Sequence, residues 1–184
     1  NADYPAAIAS LDRILRVKPS QDKELFPILT SVFAQREAIS EFARILDGSA
    51  EWHIRFFRFA ARQPSALQNL AILRSRTSFN DEIADRALLR NLEREGDIET
   101  AYAVYREVAE VEGAKTIGTW RADYPPFDWS LTDEAGLRAQ ASLSGEKLEI
   151  SVKPGRGGVV ARRWIRVLST PFRIRVDHSI DSEQ

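Results

Sequence analysis

The chain has 184 residues, 43% of them hydrophobic and 29% charged, and a formal net charge of -1. This is an ordinary soluble composition, long enough for one large domain or two small ones, and near neutrality excludes a global field that would gather nucleic acid or membrane. Cysteine is absent, which excludes disulfides, thiolate metal sites and a cysteine nucleophile.

No run approaches eighteen apolar residues, so no span is expected. The opening NADYPAAIAS lacks a basic stretch followed by an apolar one, so it is not read as a secretory signal. A start at Asn1 in place of methionine is read as a piece cut from a longer protein, a cut that could have removed any export signal or anchor.

Residues 1 to 116 carry helical periodicity. In ADYPAAIASLDRILRVKP, Ala7 is followed by Leu11 and Ile14, and Pro19 closes the segment; Ala38 is followed by Phe42 and Ile45, and Ala101 by Tyr105 and Val108. A small residue early in a helix admits a neighbouring helix, and large residues four and seven positions on fill the same groove. The three alanines stand 31 and then 63 residues apart, so a missing unit is expected near 66–76, where the pattern is poor.

The intervening segments read as partner helices. QDKELFPILTSVFAQ holds Pro27, which predicts a start at Phe26 or a bend there. AEWHIRFFRFAARQP ends at Pro64. NDEIADRALLRNLEREG is capped by Asn80 and stopped by Gly96.

The spacing resembles the second helix of the tetratricopeptide repeat. Ala7, Leu11, Ile14 and Pro19 take its small, large, apolar and proline positions, and Gly96-Asp97 takes its helix-opening turn. The resemblance covers about residues 2–112 and implies a helical solenoid that binds a protein or peptide partner. One candidate partner surface is the stretch from Glu51 to Arg62. Arg55, Arg58 and Arg62 share a helical face beside a stripe of Trp52, Phe56 and Phe59, a pattern suited to an acidic or aromatic peptide. The commoner arrangement of such a stripe is core beside a solvated charged face, with Glu51 paired to Arg55.

His53 and His178 are the only histidines, too few to build a metal site. No nucleophile elbow, phosphate-binding Gly-Lys motif or zinc signature occurs. The sequence therefore offers no recognisable catalytic constellation, cofactor motif or metal set, although among its many Asp and Glu residues a glycosidase-type carboxylate pair would not stand out.

The period changes across Gly113–Gly118, and residues 119 to 184 read as strands. Phe127–Leu131, Leu137–Ser142 and Lys147–Lys153 are expected strands. Pro154–Gly158 is a turn, and Val159–Leu168 and Phe172–Val176 complete the set. Val159, Ala161, Ile165, Val167, Phe172, Ile174 and Val176 offer a core face. Arg162, Trp164, Arg166, Arg173 and Arg175 gather opposite it, in a region where Ser151 to Val176 contains no acidic residue. Guanidinium beside indole suits a carboxylate or phosphate and a flat ring, as an acidic glycan or single-stranded nucleic acid would offer; the plainer arrangement is a solvated outer face with Trp164 packed against arginine stems or against the helical half.

The group Phe127-Asp128-Trp129, followed by an Arg/Trp-rich strand, resembles a β-sandwich module attached to repeats in some bacterial envelope proteins. That likeness covers residues 120–178 and implies a periplasmic or envelope setting and carbohydrate binding. The strand count is low for a full sandwich, so the module is truncated or completed by another chain.

The expected fold is thus α+β in two units: an N-terminal α-solenoid of antiparallel helix pairs, residues 1–116, and a small antiparallel β-sandwich-like module, residues 119–184. The expected function is an interaction scaffold, with glycan binding as the alternative.

Overall fold

The computed structural model describes residues 4–77, 81–109, 119–167 and 170–179. Among them are seven α-helices: α1 (Tyr4–Val17), α2 (Asp22–Phe33), α3 (Ile39–Ile45), α4 (Glu51–Ala60), α5 (Leu67–Arg74), α6 (Glu82–Arg94) and α7 (Ile98–Val108). Each helix packs on the helix two places on: α1, α3, α5 and α7 form one layer, and α2, α4 and α6 form the other. This is an α-solenoid, in which each pair buries its apolar seam on its neighbours.

The alanine rule explains this stacking and shows where it slips. Ala38 and Ala101 are buried with Phe42 and Tyr105. The missing unit is α5, where Ala66, Leu70 and Leu73 take the same offsets and are all fully buried. Its pattern is hard to read because α5 touches α3, α6 and α7 at once and buries Leu67, Asn69 and Ala71 as well. A helix enclosed on several sides loses its stripe. In α1 the phase differs by one residue: Ile8 and Leu15 are buried, whereas Ala7 and Ile14 are exposed. Among the described residues no further helix stacks on α1 from the far side.

Inside the stack, Phe33 meets Phe42 at 4.9 Å, and Phe56 meets Phe26 at 5.5 Å and Phe42 at 5.7 Å between ring centres. Two amides reach the ends of neighbouring helices, buried Asn69 of α5 across the layers to α2 and half-buried Asn91 of α6 within its layer to α4. Asn69 Nδ2 donates to the Phe33 carbonyl and Asn91 Nδ2 to the Ala61 carbonyl, each at 2.7 Å, satisfying C-terminal carbonyls that have no partner within their own helix.

Two expectations about helix ends change. α2 runs through Pro27 without stopping. The cap of α6 is Asp81, whose carboxylate accepts from the Ala84 N–H at 2.9 Å; Asn80 lies outside the described residues. Gly96 does stop α6, at φ +79°, a conformation that costs glycine little. Asp97 then caps α7 by accepting from the Thr100 N–H.

The remaining part holds two small antiparallel sheets. β1 (Ser130–Leu131) pairs with β5 (Ala161–Arg162), and β2 (Asp133–Glu134), β3 (Leu137–Ala141) and β4 (Leu148–Val152) form a meander with Ala139 opposite Ile150. The expected strands at 137–142 and 147–153 are present. Phe127–Leu131 contributes only its last two residues, and the expected strand from Val159 contributes only Ala161–Arg162. Phe172–Val176 is not paired in a sheet.

The core face read from the late strands is not buried. Ile165 is 43% exposed, Phe172 62% and Ile174 69%, and Val159, Val167 and Val176 are exposed with them. Alternation alone cannot build a sandwich: a second apolar layer must face the first. Trp164 and Arg166 turn instead toward the helices, as described next. The shift expected at Gly113–Gly118 lies outside the described residues.

Candidate functional site: an arginine-lined cleft beside α6

The sheet region is held on the last helix pair by Phe127-Asp128-Trp129. The Phe127 ring packs on Tyr102 and Tyr105 of α7, at 5.4 and 5.2 Å. Asp128 is 1% exposed and accepts from the Tyr105 hydroxyl at 2.8 Å and the Tyr124 N–H at 3.0 Å. Arg121 stands 3.3 Å from the same carboxylate. Burial works against the Arg121 charge, but Asp128 and Asp123 outweigh it and hold the guanidinium above its ordinary range. Trp129 donates its indole N–H to the Thr119 carbonyl at 3.0 Å and lies against Trp120. This three-residue group is therefore a joint between helices and sheet.

A second tether comes from the Arg/Trp-rich segment. The Trp164 backbone N–H donates to the Pro126 carbonyl at 2.8 Å, and its indole N–H donates to Glu93 Oε1 of α6 at 2.7 Å. Arg166 lies over the Tyr102 ring at 5.4 Å, a cation–π contact with α7.

Between these tethers and α6 lies a cleft of about 730 Å³, with Arg90, Glu93 and Arg94 on one wall and Arg162, Trp164 and Leu131 on the other; Ala122, Pro126 and Trp129 also line it. A second hollow of about 510 Å³ shares Arg90 and Arg94 and extends to Arg62, Ile83, Arg86 and Asn91. α6 buries Ala84, Asp85, Leu88, Leu89 and Leu92, which leaves Arg86, Arg90 and Arg94 at four-residue intervals on the face turned outward. Arg86 bonds to Glu82 and to the Asp123 carbonyl, and Arg94 makes a long contact with Asn91 Oδ1. Arg62, Arg90 and Arg162 form no ion pair among the described residues. Among the described residues Glu93, occupied by Trp164, is the one carboxylate lining either hollow. Such a surface can take up carboxylate or phosphate through paired N–H donors. Among the described residues, no group of three or more His, Asp or Glu is placed to hold a metal ion.

The residues singled out in the sequence are divided among several places. Trp52 is buried and donates its indole N–H to Asp12 at 3.0 Å. Arg55 pairs with Asp22 at 3.0 Å and donates to the Pro19 carbonyl, so its anion is Asp22 of α2 in place of Glu51. Arg58 grips Asp81 through two bonds of 2.9 and 2.7 Å, and this pairing holds the Asp81 carboxyl below its ordinary range. Arg62 alone of that group opens onto the hollow. Of the second group, Arg162 and Trp164 line the cleft, Arg166 lies on Tyr102, and Arg173 and Arg175 sit in the exposed 170–179 segment, where Arg175 meets Asp177 at 3.1 Å. The ladder of Arg86, Arg90 and Arg94 was not singled out. Its four-residue spacing in NDEIADRALLRNLEREG was the available signal.

His53 is fully buried, with Nδ1 accepting from the Gly48 N–H at 3.2 Å and with Asp47 and Asp12 flanking the ring at 3.4 and 3.8 Å. Burial, with Arg16 nearby, pulls its pKa below 6.5 despite the two carboxylates. A depressed histidine pKa means that the unfolded chain takes up the proton first. The stabilising contribution is therefore complete above the unfolded value and falls as pH drops through it toward the folded value. Urea midpoints should decline from about pH 7 to pH 5, and His53→Gln should flatten that slope at a cost of about 1–3 kcal/mol at neutral pH. An unchanged slope in the variant contradicts the assignment.

No family model, curated protein or solved structure matches this chain, so the functional reading stands on the fold and the cleft.

Proposed function

We propose that this chain is a non-catalytic interaction scaffold whose partner docks in the cleft between α6 and the sheet region. The observation that carries this reading is the cleft itself: an open hollow of about 730 Å³ whose two walls come from the helices and from the sheet. The buried alanines at 38, 66 and 101, with their large partners four positions on, support a tetratricopeptide-like stack, and solenoids of this type use their surfaces to hold other chains. In this reading the sheet region packs on α6 and α7 and supplies the second wall.

The test is a displayed random-peptide library selected on the intact chain, followed by binding to the variant Ala122→Trp. That substitution places a bulky ring on the cleft lining, and selected peptides of whatever charge should lose at least about tenfold in affinity, roughly 1.4 kcal/mol. Peptides that bind the variant as well as the parent would place the partner elsewhere and refute the reading.

Glycan binding is a second reading, favoured by the presence of Arg162 and Trp164 on the same wall. It accounts less well for Arg166, Arg173 and Arg175, which lie away from the cleft. A bacterial envelope setting accompanies that reading.

A further inference from the structure

We propose that the arginine ladder of α6 selects an extended acidic peptide, one bearing carboxylates at alternate residues. This inference rests on the scaffold reading and names the chemistry of the partner. The lining of the two hollows brings Arg62, Arg86, Arg90, Arg94 and Arg162 together, with Glu93 the one carboxylate among the described residues there. The field there favours an anion although the whole chain is nearly neutral.

Geometry favours a strand-like ligand over a compact one. Residues four apart on a helix rise about 6 Å, so Arg86, Arg90 and Arg94 span about 12 Å along the wall. Side chains two apart on an extended peptide repeat at about 6.6 Å and point to one side. Three alternate carboxylates therefore run in step with three guanidinium groups, each able to give paired donors. The wall is also unequal along its length. Arg86 already holds Glu82 and the Asp123 carbonyl, whereas Arg90 forms no ion pair among the described residues. Arg90 and Arg94, which line both hollows, are thus the principal anchors.

A sugar-stacking role is less well served. The Trp129 indole has Trp120 at 4.4 Å and Arg163 at 5.4 Å, and Trp164 is held by its bond to Glu93.

The experiment titrates the intact chain with fluorescent peptides of alternating glutamate and serine, of alternating glutamine and serine, and with an oligomer of uronic acid. The glutamate peptide should bind tightest, weaken as salt rises from about 0.02 to 0.5 M, and lose at least about tenfold in Arg90→Glu/Arg94→Glu. Because Arg94 lies in the last turn of α6, where an added anion opposes the helix dipole, Arg90→Gln/Arg94→Gln serves as the second variant and should give a smaller loss in the same direction. Equal affinity for the glutamine peptide, no effect of either variant, or preference for the uronic acid oligomer each overturns the inference. If the glutamine peptide binds as tightly as the glutamate peptide and Ala122→Trp blocks both, the acidic assignment falls while the scaffold reading stands. If Ala122→Trp leaves every ligand bound, both fall.

Discussion

Replacing Asp128 with alanine should lower the stability of the folded chain by about 3–5 kcal/mol, because it removes one member of a buried, charge-bearing network. The Tyr105 hydroxyl and the Tyr124 N–H now end on this carboxylate, and Arg121 stands beside it. The loss leaves those donors with poorer partners in a place where water replaces them badly. Asp128→Asn keeps an acceptor and should cost less. Tyr105→Phe combined with Asp128→Ala should cost less than the sum of the two, since the pair shares one bond. Thermal melts of the parent, the three single variants and the double variant provide the comparison. Strictly additive losses, or a loss below about 1 kcal/mol for Asp128→Ala, would show that the joint is not formed as described.

The second large effect belongs to Phe56→Ala. Phe56 is fully buried and its ring meets Phe26, Phe33, Phe42 and Trp52, all within 6.3 Å between ring centres. These partners come from α2, α3 and α4, so the residue links both layers of the solenoid. Truncation removes the ring and leaves a cavity that rigid helices fill poorly, at about 3–5 kcal/mol. Urea unfolding followed by helical circular dichroism should show the midpoint falling with little change in slope. Phe59→Ala offers the comparison: Phe59 is only partly buried, beside Phe26, and should cost clearly less. Equal costs for the two would contradict the layering.

The helical stack was legible because its code is local. Ala38-Phe42-Ile45 and Ala101-Tyr105-Val108 state which face packs, and Gly96-Asp97 states where one helix stops and the next begins. At α5 the signal faded for a physical reason: a helix packed on several sides carries apolar residues on all of them. α1 misled by one position: Ile8 and Leu15 face the stack, and Ala7 and Ile14 are exposed.

The late strands were the harder part. Val159–Leu168 and Phe172–Val176 alternate as a buried strand does, but alternation says only that two faces differ. Whether either face is covered depends on a second layer, which sequence periodicity does not encode. The Trp164 segment went to the helices because Glu93 and the Pro126 carbonyl offer its two N–H groups partners there, contacts 71 and 38 residues away. The candidate site was legible only in pieces. Arg62, Arg162 and Trp164 were singled out for different reasons, and only folding places them near Arg90 and Arg94.

The cleft exists only if the Trp164 segment sits on α6, and the indole N–H resonances report this directly. The chain has four tryptophans, so a nitrogen–proton correlation spectrum contains four such signals, each assignable by a Trp→Phe variant. Glu93→Gln should move the Trp164 signal, because Glu93 accepts that N–H at 2.7 Å. The Trp52 and Trp129 signals should stay in place, since their N–H groups donate to Asp12 and to the Thr119 carbonyl. A Trp164 signal unmoved by Glu93→Gln would contradict the contact, and with it the cleft.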